Sequence, residues 1–157
     1  MRYYPTSTNG CRNENAMGSK SRNKGADGER ELINLIRDNT GLKLERNLAQ
    51  SFGGGHDLLG LEDWAIECKR YNVVDSSAKK IFWRQAVSQA KQVDKRPVVA
   101  YREDRRPWRV IVAWPTHEDL FPLESYDSTA EISLELFCSL IRETINETQS
   151  NREGGSD

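Results

Sequence analysis

The sequence predicts a single α/β domain, a mixed β-sheet flanked by helices, and three observations predict it. The first is size: 157 residues, 36% of them apolar, suit one domain with one hydrophobic core. The second is a repeated switch of apolar spacing between the helical and the strand period. The third is the order this produces, α-β-β-β-α-β-β-α, which buries its apolar faces most simply as helices packed on a sheet.

Residues 1–20 are rich in Asn, Ser, Gly and Thr and lack apolar periodicity, which predicts a flexible arm. The folded domain is expected over 21–149, starting near Lys24, with a disordered tail over 150–157. Leu32, Ile33, Leu35 and Ile36 fall at helical spacing, and Asn39-Thr40-Gly41 ends that helix. Leu42 to Arg46 is a short strand, Leu48 to Gly55 a glycine-ended loop, and Asp57 to Leu61 a second strand. Glu62-Asp63 turns the chain into a third strand from Trp64 to Arg70. Residues 77–94 carry Ile81, Phe82, Ala86, Ala90 and Val93 and read as a helix. Pro97 to Tyr101 and Trp108 to Trp114 are strands around the charged turn Arg102 to Arg106. Ala130 to Glu147, with Leu134, Phe137, Ile141 and Ile145, reads as the last helix.

Mean hydropathy is -0.76. No run approaches the ~18 apolar residues of a membrane span, and Met1 to Gly10 holds no secretory apolar stretch. Cys11, Cys68 and Cys138 are odd in number and widely spaced, which argues against a disulfide framework or a zinc knuckle. A cytoplasmic protein without a membrane partner is the expectation. Net charge is only -1, yet the charges segregate. Ser19 to Arg109 holds 19 Lys+Arg against 13 Asp+Glu, and Val110 to Asp157 holds 2 against 10. A basic face fits a polyanion, because Lys and Arg replace the counterions condensed on phosphates.

The chemistry is densest in Gly54-Gly55-His56-Asp57-Leu58-Leu59 and Ala65-Ile66-Glu67-Cys68-Lys69-Arg70. On a strand, Glu67 and Lys69 leave one face and Ile66 and Cys68 the other, so the apolar pair can meet a covering helix. Asp57 opens the neighbouring strand. Two carboxylates on adjacent strands make a hard-oxygen site suited to Mg²⁺. Direct opposition of Asp57 and Glu67 requires an odd connecting loop; otherwise a bulge must restore it. An exposed hairpin carrying a cross-strand ion pair fits the same three residues. Glu29 heads the apolar stripe of the first helix, where a carboxylate needs a partner or a metal. Cys68 reads as a small core residue, and the four tryptophans as core or interface.

Lys24-Gly25-Ala26-Asp27-Gly28-Glu29-Arg30-Glu31-Leu32, then Arg46, Gly55-His56-Asp57-Leu58 and Ile66-Glu67-Cys68-Lys69 together resemble the archaeal-type Holliday junction resolvases and their phage relatives. These belong to the PD-(D/E)xK nuclease superfamily. The resemblance spans about residues 24–114 and implies a restriction-endonuclease-like fold. It implies that Asp57 and Glu67 bind Mg²⁺ (or Mn²⁺ as a substitute), that Glu29 completes the metal site, and that Lys69 orients the attacking water. Arg30 and Arg46 match arginines that contact the DNA backbone or support the site, and Ser51 sits where related enzymes carry a functional serine. Lys24 and Arg70 flank these motifs as further DNA contacts. Gln85 and Gln89 read as surface glutamines, although the superfamily often places such a helix residue beside the site. His56 replaces the motif's proline, and the acidic last helix has no place in the motif.

The resulting expectation is a Mg²⁺-dependent, structure-selective DNA endonuclease, a Holliday junction resolvase of DNA recombination and repair. It would act on branched or duplex DNA as a homodimer, in the host cytoplasm if phage-encoded. A restriction-like or repair endonuclease and a non-catalytic DNA-binding module are the alternatives.

Overall fold

A computed structural model describes the backbone of residues 14–49, 55–114 and 124–153, and the side chains of 23–49, 55–114 and 124–150. Helix α1 (Glu14–Thr40) leads into β1 (Glu45–Arg46), β2 (Leu58–Leu59) and β3 (Trp64–Tyr71). Helix α2 (Ser76–Gln92) then carries the chain across to β4 (Arg96–Glu103) and β5 (Arg109–Ala113). A 3-10 turn (Tyr126–Ser128), β6 (Thr129–Ser133) and α3 (Leu134–Glu153) complete it.

The six strands lie in chain order, β1-β2-β3-β4-β5-β6. Every neighbouring pair is antiparallel except β3 and β4, which run parallel from Trp64↔Arg96 to Tyr71↔Glu103. A parallel pair needs a crossover, and α2 supplies it. Strand alternation then sorts the core into two layers. Ile66, Val98, Ala100, Val110 and Val112 join Leu32 and Ile36 of α1 and Phe137 and Ile141 of α3. Val99, Tyr101 and Ile111 meet Phe82, Trp83, Ala86 and Val87 of α2 on the other face. Trp83 is fully buried there, where truncation to Ala costs about 3–5 kcal/mol.

The helix ends follow local chemistry. Thr40 Oγ1 donates to Ile36 O at 2.7 Å as α1 closes. Asp75 caps α2 by accepting from Ala78 N at 2.7 Å. Ser133 Oγ accepts from Leu136 N at 3.2 Å and starts α3.

The mixed α/β class is as expected, with differences in extent. Residues 1–13 of the expected arm, 50–54 of the glycine loop (Ser51 included) and 154–157 of the expected tail lie outside the described residues. Backbone 14–20 is helical, ten residues ahead of Lys24, because Ala16, Met17 and Lys20 favour a helix even around Gly18. The helix expected from Ala130 begins at Leu134 instead, and the preceding residues form the sixth strand, paired to β5. Trp64, Trp83 and Trp108 are core, whereas Trp114 is exposed. Among the described residues no helix is long and apolar enough to cross a membrane.

Candidate active site

Glu67 is the most deeply buried charged group described, 2% exposed in the middle of β3. Alternation points it, with Lys69, toward α2, while Ile66 joins the core layer under α1. Gln85 of α2 donates Nε2 to Glu67 Oε1 at 2.8 Å. Lys69 Nζ lies 2.5 Å from the same oxygen and 5.5 Å from the Phe82 ring centroid. The other oxygen, Oε2, is buried and has no hydrogen-bond partner among the described residues.

Asp57 enters from the adjacent strand. Leu58 pairs with Ile66, a register with an odd number of intervening residues. The ladder then slips: Asp57 N donates to Ile66 O at 2.9 Å, so Asp57 and Leu58 together face one residue of β3. The carboxylate instead of the main chain meets the next donor, with Cys68 N 2.5 Å from Asp57 Oδ2. Asn47 clamps this lead-in twice, its Nδ2 donating to His56 O at 2.9 Å and its N to Asp57 O at 2.8 Å. Gly55 beside it has φ 132°, outside the range most side chains tolerate. His56 is buried, and burial followed by the nearby Lys95 charge lowers its pKa.

Glu29 approaches from α1 and is half-buried in an ion pair with Arg46 Nε. The Cys68 thiol registers the convergence of these groups. Burial first, then the charges of Asp57, Glu29 and Glu67, push its pKa well up against the opposing Lys69. Four charged side chains thus act on one point, and Cys68 is held as a thiol, in line with a core role. They do not form a ready-made ligand cage: among the described residues no three of His, Cys, Asp and Glu are gathered closely enough to hold an ion. Glu29 Oε2 is engaged by Arg46 Nε.

A groove of ≈ 710 Å³ runs between the first half of α1 and the end of β3, lined by Lys24, Gly25, Lys69, Arg70 and Tyr71 among others. Lys24 Nζ bonds Asn72 Oδ1 at 2.5 Å and Asp104 Oδ2 at 2.9 Å across it. Gly28 lets α1 approach β3, since a Cβ there would stand 3.2 Å from Arg70 Cβ. Glu31 pairs with both Arg70 and Arg102. Arg30 is exposed and pairs with Asp27, one helical turn away, at 2.9 Å.

The structure therefore brings Asp57, Glu67 and Lys69 together, sets Glu29 and Arg46 beside them, places Lys24 and Arg70 on the groove, and leaves Arg30 on the outer surface. Gln85, which the sequence reading named beside Gln89 but took for a surface glutamine, is the one that reaches Glu67. Its signal was faint: it sits on one line of α2 with Phe82 and Gln89, at the margin of the buried face.

A family described as "Phage putative PDDEXK endonuclease" matches residues 20–135. The chain belongs to this family. It is therefore a nuclease of the PD-(D/E)xK superfamily, and the expected superfamily resemblance holds. Protein D14 of Escherichia phage T5 is 28% identical, over 61% of this chain and 72% of that protein. Among solved structures, the Holliday junction resolvase Hjc of Archaeoglobus fulgidus aligns over 72% of this chain and 97% of its own, at 16% identity and a TM-score of 0.45.

Proposed function

We propose that this nuclease is a divalent-metal-dependent endodeoxyribonuclease that cuts branched DNA, a junction resolvase working as a homodimer. The observation that carries the metal reading is Glu67 Oε2, a buried carboxylate oxygen without a partner among the described residues, beside Asp57 on the adjacent strand. A buried lone pair of this kind is costly unless something satisfies it. One or two carboxylates, completed by water and phosphate oxygens, suit Mg²⁺, and Mn²⁺ takes the same donors. The donor set present fits the ion, with Asp57 and Glu67 as its holders and Glu29 adding negative charge nearby.

When bound, the cation supplies Lewis-acid stabilisation of the phosphate and lowers the pKa of water. The protein does the rest. Gln85 and Lys69 fix the Glu67 carboxylate by sharing Oε1, which leaves Oε2 directed away from both. Lys69, held between Glu67 and the Phe82 ring, orients the attacking water and opposes the charge that grows on the phosphate oxygens. Arg46, positioned by Glu29, and Lys24 and Arg70 on the groove contact the DNA backbone. Arg30 and Ser51 extend that contact set. Paired cuts at a four-way junction need two sites related by a two-fold axis, which a homodimer provides.

Cleavage of a mobile four-way junction, a flap and a linear duplex, with Mg²⁺, Mn²⁺ or chelator, tests this reading. The junction is expected to be cut fastest, and only with metal. Asp57→Asn and Glu67→Gln are each expected to lower the rate at least about a thousandfold, since metal stabilisation supplies several kcal/mol. Equal rates on all three substrates would leave a restriction-like or repair endonuclease. Tight binding with no cleavage by the wild type would leave a DNA-binding module.

A further inference from the structure

Glu67, Lys69 and Tyr71 alternate along β3 and leave the strand on the same side, so Tyr71 stands roughly 6.6–6.8 Å beyond Lys69. Among the described residues the pairing between β2 and β3 stops at Leu58↔Ile66, and the end of β3 beyond it lines the groove. Three of the eight residues that line that groove, Lys24, Lys69 and Arg70, are cations, while Tyr71 and Val73 give it an apolar part and are 47% and 76% exposed. Tyr71 is also held in place. Its ring centroid lies 5.3 Å from that of buried Phe82 at an interplanar angle of 31°, and Phe82 also carries the Lys69 ammonium. One core residue thus supports both the lysine of the active site and an aromatic surface one step along the same strand.

We propose that Tyr71 is a base-stacking platform that receives an unpaired base next to the scissile phosphate. The inference rests on the nuclease reading above and sharpens its substrate class. In continuous duplex both faces of every base are covered by neighbours, so the ring has nothing to stack on. At a branch, gap or bubble a base face is free, and the cations Lys24, Lys69 and Arg70 hold the adjoining backbone. The favoured substrate is DNA whose stacking is already interrupted at the cut.

The test uses two readouts on the full chain. In the first, 2-aminopurine is placed beside the cleavage point of a bubble substrate and its fluorescence is followed as Asp57→Asn protein binds. Quenching is expected with Tyr71, Tyr71→Phe and Tyr71→Trp, and its loss with Tyr71→Leu. In the second, kcat/KM on the bubble is divided by that on the matching duplex. Tyr71→Leu is expected to lower this ratio at least fivefold, the low end for one base–aromatic stack, while Tyr71→Phe keeps it within about twofold. The half-exposed side chain makes these variants foldable, and an unchanged thermal midpoint for Tyr71→Phe serves as control. A folded Tyr71→Leu protein with undiminished quenching and ratio overturns the inference while the nuclease reading stands. A wild type that binds without cutting overturns the nuclease reading and leaves Tyr71 to be decided by fluorescence. A chain that does not bind DNA overturns both.

Discussion

A carboxylate as buried as Glu67 is normally satisfied at both oxygens, and here one oxygen carries two donors while the other carries none among the described residues. In the proposed metal site that asymmetry makes Gln85 a positioning residue, which fixes the carboxylate without meeting the reacting phosphate. Gln85→Leu is expected to lower kcat/KM about 10- to 100-fold, the usual loss for a partner that orients a metal ligand, and to raise the Mg²⁺ concentration for half-maximal activity. A metal titration of cleavage rate checks it; a rate loss at unchanged metal requirement would assign Gln85 another role. Glu67 and Lys69 were legible in the sequence because strand alternation sets them on one face, whereas loop parity left the place of Asp57 open and the ladder slips there. Gln85 was not, because a glutamine at the margin of an amphipathic helix looks like any solvated one. Nor was the pairing of Glu29 with Arg46, since Glu29 lies in the middle of α1, not at its head, and nothing in the spacing of that helix says what faces it.

Longer elements could be read directly. β3, β4, β5 and α2 each carry enough apolar residues to show their period, and their boundaries fell within about three residues of expectation. β6 escaped because Thr-Ala-Glu-Ile-Ser has one large apolar residue, and Ile132 was absorbed into the helical run that follows. Ser133, the helix cap, was the available signal. What ties β6 into the molecule is Glu131. It accepts from Lys79 of α2 at 2.7 Å and from Arg109 Nε of β5 at 3.2 Å. Burial alone would raise the Glu131 pKa, but these donors and Tyr101 hold it below the usual carboxylate value. A carboxylate whose folded pKa is depressed stabilises the fold above its unfolded pKa of about 4.3. That contribution is lost as pH falls through the folded value. Glu131→Gln is therefore expected to lower stability by about 1–2 kcal/mol at pH 7, with a gap to wild type that closes as pH drops below 4. Urea unfolding at several pH values reads this out; a gap independent of pH would mean that packing, not charge, holds β6.

For the whole molecule, sheet order turns a segregation of charge along the chain into a segregation in space. The basic segment supplies β1 to β3 and the groove beside them, while β6, at the opposite edge of the sheet, belongs to the acidic segment. The groove cations are not free, however. Lys24 is engaged by Asp104 and Asn72, and Arg70 faces Glu31 at 3.9 Å. In the proposed mode of binding, phosphate competes with these internal partners, so the groove would favour multiple backbone contacts over weak ones. Lys24 in turn holds the exposed Asp104 carboxyl below its ordinary pKa. Each Lys or Arg that reaches a phosphate contributes about -0.9 to the slope of log K against log salt on duplex DNA. Arg70→Ala is expected to flatten that slope by about one unit. Asp104→Asn removes a competitor without removing a cation, and is expected to tighten binding at low salt with no flattening. Fluorescence anisotropy from 50 to 300 mM salt distinguishes the two. If Asp104→Asn weakened binding instead, Asp104 would be an anchor that aims Lys24 at the DNA, and the groove would owe its selectivity to pre-positioning, not to competition.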